Sequence, residues 1–152
     1  MSQLEDLTRR ALRHAAFTDD GRGGNPAGVL LDTADLGDAD RLAVAVQLGY
    51  SATAFVEPQE QAGAYRVRYF SPKAEVAFCG HATIATAVAL AERDGPGLLE
   101  FSTVAGPIPV RTTANSGEIT ATLTSVPTHP ANPVRLAAAS ARIEELWSPR
   151  AG

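Results

Sequence analysis

An α+β domain in which antiparallel strands wrap one central helix is what this 152-residue sequence predicts, on three observations. Seven short stretches, apolar or alternating, are bounded by Gly, Pro, Asn and Ser in the way strands are. A helical run over 81–93 is almost wholly Ala, Val, Leu, Ile and Thr, with no charge between His81 and Glu92, so it has no face suited to water. The strands are numerous enough to cover such a helix on most sides, which a barrel-like wrap achieves.

The stretches "LRHAAFTDD" (12–20) and "AGVLLD" (27–32) predict strands on either side of the loop "GRGGNP", whose glycines, Asn25 and Pro26 mark a turn. In "DADRLAVAVQLGY", Asp38 is the expected cap, Leu42 and Val46 recur at helical spacing and Gly49 is the expected stop, which predicts a helix of about ten residues. "ATAFVE" (52–57) and "YRVRYF" (65–70) alternate as strands do, with Tyr65, Val67 and Tyr69 on one face and Arg66 and Arg68 on the other. "PQEQAGA" between them is a turn. The central helix stops at "DGPG", and "LLEFSTV" (98–104), "IPVRTT" (108–113) and "EITATLT" (118–124) follow as antiparallel neighbours separated by Gly-Pro and Asn-Ser-Gly turns. Beyond "PTHPANP", the stretch "VRLAAASARIEELW" predicts a third helix with Leu136, Ile143 and Trp147 on one stripe. The division expected is a lobe over 1–127, then a Pro-rich linker and C-terminal helix over 128–152.

Composition narrows the function. The net charge is -4 and the thirteen Lys and Arg are scattered, so no basic stripe invites nucleic acid or an anionic membrane. No apolar run nears the ~18 residues of a membrane helix, and "MSQLEDLTRR" lacks the apolar core of a secretory signal. A single Cys cannot build a disulfide framework, so a reducing cytoplasm is the expected setting. His14 sits in the first strand and is expected to be structural, while His129 lies in the Pro-rich linker; with no carboxylate or thiol at ligand spacing around them, no metal site is expected.

The chemistry-bearing stretch is "FCGHATIATAVALAE" (78–92). A helix starting at Gly80 or His81 leaves its first amide N–H groups without intrahelical partners and carries partial positive charge there. Gly80 has no side chain to hold a ligand away, so a carboxylate could approach those amides closely. On the residues alone an alternative stands beside this: Cys79 as an ordinary buried small residue and His81 as a satisfied first-turn histidine.

The pieces "AAFTDD", "GNPAGVLLD", "LGYSATAFVE", "YRVRYFSPKAEVAFCGHATIATAVALAE" and "GPIPV" occur in one order over residues 10–127. In that order and spacing the chain resembles the PhzF-like isomerases of phenazine biosynthesis, relatives of diaminopimelate epimerase and proline racemase. The resemblance implies a diaminopimelate-epimerase-like lobe, one of two similar barrel-like lobes that hold a substrate in the cleft between them. It further implies cofactor-independent proton transfer on a small carboxylic acid, with Gly80 and His81 lining the cleft and Asn25 and Pro26 nearby.

Two departures from the family pattern bear on function. The acidic, glycine-rich "DPATGSA"-like stretch of the second lobe has no counterpart, so the second lobe is expected to be absent and a homodimer would supply the opposite wall. Within the first lobe, "SATAFV" stands where the family reads "SETAFV", so Ala52 occupies the place of the proton-shuttling glutamate. A positioned acid or base is worth about 10²-fold to 10⁴-fold, and a methyl group carries no proton. Glu57 is five positions along the strand and points to the opposite face, and Glu75 is expected to be solvated in the loop before the helix. Cys79 is the other substitute: a cysteine at this helix start is a proton-transfer thiol in the related epimerases, where a second thiol faces it, and a two-fold axis would duplicate the one Cys here. The site so expected has Cys79 and His81 as catalytic residues, and Asn25, Ser51, Thr53, Gly80 and His81 holding the substrate. It includes no metal. Two classes stay open: an isomerase, and a non-catalytic binding or interaction module left as a truncated relic of one.

Overall fold

The computed structural model describes residues 3–16, 25–123 and 136–142. In chain order the elements are α1 (Gln3–Arg10), β1 (Leu12–Ala16), β2 (Asn25–Leu30), α2 (Asp38–Leu48), β3 (Thr53–Pro58), β4 (Ala64–Phe70), β5 (Glu75–Val76), α3 (Gly80–Asp94), β6 (Leu98–Thr103), β7 (Gly106–Asn115), β8 (Glu118–Leu123) and β9 (Leu136–Arg142). The strands form one mixed sheet in the order β3-β2-β1-β9-β8-β7-β6-β4-β5, and a further pairing of β3 with β4 closes it into a ring that leaves β5 as a short extension on β4. The pairs β2–β3 and β4–β6 are parallel and the remaining pairs antiparallel. The predicted α+β class and the wrapped central helix are both present.

The ring encloses α3 because that helix has no polar face to spare: every residue from Ala82 to Ala91 is buried. Its Ile84, Val88 and Leu90 meet Val29, Val67, Phe101, Ile108, Val110 and Leu123 from the strands in one cluster. Burying side chains of this size stabilises by roughly 1.5–3 kcal/mol each. A second cluster lies outside the ring, where Val44 and Ala45 of α2 and Leu7 of α1 pack on Leu30, Phe55 and Phe70. The alternation along β3 separates the two layers: Ala54 and Val56 face α3, and Phe55 faces α2. Gly28 of β2 sits where α2 comes closest; a Cβ there would lie 2.6 Å from Leu48 Cδ1 and 3.2 Å from the Thr53 side chain.

Several sequence expectations are corrected. The cap of α2 is Gly37, one residue before Asp38, and its amide N–H donates to the Asp40 carboxylate. The predicted stop is in place: Gly49 adopts φ 76° and its N–H closes on the Ala45 carbonyl. Asn25 and Pro26 belong to β2 and pair with Ala16 and Ala15, because a strand partner is available to them there. Helix α1 was not foreseen; its eight residues are too few for an apolar period to stand out, yet Leu4 and Leu7 give it a buried side.

The largest correction concerns the predicted C-terminal helix. Residues 136–142 are strand β9, which runs between β1 and β8 with Ala139 opposite Thr120 and Ala141 opposite Ala15. An Ala-rich segment has good intrinsic helix propensity, but two flanking strands with unpaired backbone groups outweigh it. Of the proposed stripe, Leu136 opens β9 and pairs with Leu123, while Ile143 and Trp147 lie outside the described residues, as do the linker and His129.

Candidate functional site

The start of α3 is built from β4 upward. Tyr69 is buried, and its phenol oxygen lies 2.6 Å from Thr83 Oγ1. Thr83 Oγ1 in turn donates to the Cys79 carbonyl at 2.8 Å, which also accepts the Thr83 amide at 3.0 Å. Since Thr83 has one hydroxyl proton and gives it to Cys79, Tyr69 is the donor in the first of these bonds. The Tyr69 ring also meets Phe78 edge-on at 6.0 Å. These contacts fix the carbonyl of the capping residue and, through it, the direction of the first turn. Alternation along 65–70 groups Tyr69 with Tyr65 and Val67 on one face, but its bond to the residue four beyond the cap has no sequence signal.

On that frame stand the three polar side chains the structure brings together. His81 Nε2 is 3.2 Å from Ser51 Oγ, and His81 Nδ1 is 3.3 Å from Cys79 Sγ. The imidazole bridges a hydroxyl on the approach to β3 and a thiol at the cap of α3. Burial pushes the Cys79 thiol up from its ordinary range, against the downward pull of the Ala82 and His81 backbone amides. Burial also holds His81 below the usual histidine value. Both groups are therefore neutral near pH 7, and the pair is a thiol and an imidazole rather than a thiolate–imidazolium. A neutral imidazole accepts a proton, and a neutral thiol offers one.

The other expected site residues are arranged differently. Gly80 is the first residue of α3, and its half-exposed backbone lies between Cys79 and His81. Asn25 opens β2 as an exposed residue. Thr53 is buried at 0% exposure on the α2 side of β3, beside Gly28, and its Oγ1 has no hydrogen-bond partner. It faces the layer opposite to α3. Ala52 is 2% exposed, belongs to the cluster around α3, and accepts a hydrogen bond from the Gly28 amide through its carbonyl at 3.3 Å.

Of the two spare carboxylates, Glu57 sits in β3 opposite Arg66. Glu75, expected to be merely solvated, is in β5 and is held at both oxygens by Arg68, at 2.7 and 2.8 Å. The same guanidinium reaches Asp38 at 2.8 Å and lies 5.4 Å from the centre of the Phe70 ring. Arg68 keeps both carboxylates below the usual carboxylate range. Glu75 is thus committed to fastening β4 and β5 to the start of α2. His14, expected to be structural, is buried at 1% exposure in β1 with its Nε2 3.4 Å from Glu92 Oε1. No group of three or more His, Cys, Asp or Glu that could hold a metal occurs among the described residues. No helix among them is long and apolar enough to cross a membrane.

Comparison with known proteins converges on one group. The profile of the PhzC-PhzF family, described as phenazine biosynthesis-like protein, matches residues 14–148. An uncharacterized isomerase of Bacillus subtilis, YfhB, is 39% identical over 118 residues, which cover 74% of this chain and 39% of that protein. The uncharacterized isomerase PA2770 of Pseudomonas aeruginosa is 42% identical over 103 residues, 66% of this chain and 39% of its own length. The chain thus spans well under half the length of these curated relatives. Among solved structures, a PhzF-family phenazine biosynthesis protein from Bacillus anthracis superposes with TM-score 0.68 at 34% identity, over 76% of this chain and 40% of the other. A hydroxyproline epimerase from Agrobacterium vitis with bound trans-4-hydroxy-L-proline has TM-score 0.58 at 16% identity, over 76% and 41% of the two chains. That second likeness is one of fold.

Proposed function

Because the chain belongs to the phenazine biosynthesis-like protein family of isomerases, on a match over residues 14–148, we propose that it binds a small carboxylic acid at the start of α3 and moves a proton along it without a cofactor. The observation that carries this reading is the bridge Ser51–His81–Cys79, with the imidazole 3.2 Å from one group and 3.3 Å from the other. The substrate carboxylate is held at the Gly80 amide by the positive start of α3, next to the His81 and Ala82 amides that point at the Cys79 thiol. The neutral imidazole of His81 takes a proton from a carbon of the bound acid and returns it to another carbon of the same molecule, so nothing is oxidised and no proton is lost. Cys79 Sγ accepts the Nδ1–H of the ring, which keeps the base lone pair on Nε2 beside Ser51, so the only proton that moves is the one taken from the acid and returned to it. The same fold holding a cyclic amino acid in the hydroxyproline epimerase agrees with a ligand of this class. The groove at the start of α3 needs a facing wall, and a second copy of the chain across a two-fold axis is one way to supply it.

A second reading has its own observation. Ala52 is a buried methyl at the position where the resemblance to the family implies a glutamate, which favours a lobe that binds the acid and turns it over slowly or not at all. Proton exchange separates the two. Purified protein in D₂O with unsaturated and α-substituted carboxylic acids is expected to place deuterium on carbon, read by NMR, and His81→Ala is expected to lower that rate by about 10²-fold or more. Equal rates in wild type and His81→Ala end the proton-transfer reading. Carboxylate binding that persists without any exchange, with exchange appearing only in Ala52→Glu, establishes the binding module.

A further inference from the structure

At the far end of α3 from Cys79, an open cavity of about 480 Å³ lies between the last turns of that helix and the ends of β1 and β2. This volume is within the range of small-molecule sites. One wall is apolar, made by Leu12, Leu31 and Ala89. Its rim carries the charged groups Arg10, Asp32, Glu92 and Arg93. Arg93 is tied to Asp32 at 3.3 Å and to Asp94 at 3.1 Å. Glu92 stands 3.4 Å from the buried His14 ring and at the carbonyl end of α3, where partial negative charge accumulates. Arg10, the exposed last residue of α1, lines the same cavity and forms no ion pair among the described residues.

A ligand that answers all three features carries an ammonium toward Glu92 and the helix end, a carboxylate toward Arg10, and an apolar body against Leu12, Leu31 and Ala89. We infer that this cavity is a second binding site, separate from the start of α3, for a zwitterionic α-amino acid with a bulky apolar side chain. A plain cation leaves Arg10 opposed by nothing, and a plain anion meets Glu92 and the negative helix end. Arg10 precedes the family match at residue 14, so this site uses a residue that the match does not include.

Titration calorimetry of the full chain with L-phenylalanine and L-leucine, with N-acetylphenylalanine and phenylalaninamide as probes lacking one charge, tests it. Both amino acids are expected to bind, and each modified probe to bind at least about tenfold more weakly, as loss of a charge-assisted hydrogen bond implies. Arg10→Gln, an exposed substitution that leaves the core untouched, is expected to weaken phenylalanine about tenfold and leave phenylalaninamide unchanged. Glu92→Gln is expected to weaken phenylalanine and leave N-acetylphenylalanine unchanged. His81→Ala is expected to alter none of these, which separates this site from the one at the helix start. Absence of phenylalanine binding at about 10 mM, binding indifferent to Arg10→Gln, or binding lost in His81→Ala each overturns the inference.

Discussion

The Cys79 thiol is the residue whose behaviour departs most from what its position suggests. A cysteine at a helix start is ordinarily expected to ionise easily, yet here burial outweighs the two backbone amides that point at it. Alkylation by iodoacetamide is therefore expected to be slow at pH 7 and to rise with a midpoint above the ordinary thiol value of about 8.5; a midpoint below 7 would refute the neutral pairing with His81. The acid limb of any exchange activity should lie below the usual histidine pKa of about 6.5, because burial disfavours the imidazolium and keeps the base form present at lower pH. Tyr69→Phe removes the donor to Thr83 and is expected to cost about 1–2 kcal/mol in denaturant unfolding while also slowing exchange, since the Cys79 carbonyl loses part of its anchorage. Unchanged exchange in that variant would reduce Tyr69 to a structural role. The residues of this site were legible in "CGHAT" and "SATAF" as types at positions, but not as a bridge: the contact of Ser51 with His81 joins positions 30 apart. Thr53, the first residue of β3, faces the other layer with Phe55, opposite to Ala52 and Ala54, while Ser51 lies before the strand and is not bound by its alternation.

Among the elements, α3 and the β6–β7–β8 meander were readable because local signals agree with the tertiary outcome: an uncharged helical run buries itself, and Gly-rich turns join antiparallel neighbours. Helix-forming composition misled at β9, where pairing on both edges decides the conformation. Backbone amides of Ala138 to Ala141 should accordingly exchange as slowly as those of β8; helix-like protection with β8 and β1 exchanging freely would contradict the strand. Gly28→Ala forces Leu48 and Thr53 to move where β2, β3 and α2 meet, with an expected loss of about 1–2 kcal/mol. Arg68 fastens α2, β4 and β5, and both its carboxylate partners titrate below their unfolded values. Their stabilisation is thus fully present above about pH 4 and is lost as pH falls through the depressed folded values. Melting curves of Arg68→Ala should lie about 2–4 °C below wild type at pH 6 and converge with it near pH 2, and a gap that persists in acid would assign Arg68 to packing on Phe70 instead.

For the whole molecule, the decisive quantity is what stands opposite the start of α3. A groove completed by a second copy predicts a dimer by light scattering at working concentration. Proton exchange should then fall with dilution through the dimer dissociation range; a strict monomer with undiminished exchange rules out the shared groove. The closed ring also has a bearing on biosynthesis. Its last-made strand lies between the first and the eighth, so the circle of pairings cannot be completed until residue 142 has been synthesised. Until then β1 and β8 present open edges, and β9, once made, meets the open edges of a neighbouring unfinished chain as well as its own. Exchange of β9 between copies is thus a path to intertwined pairs that translation rate and polysome crowding would govern.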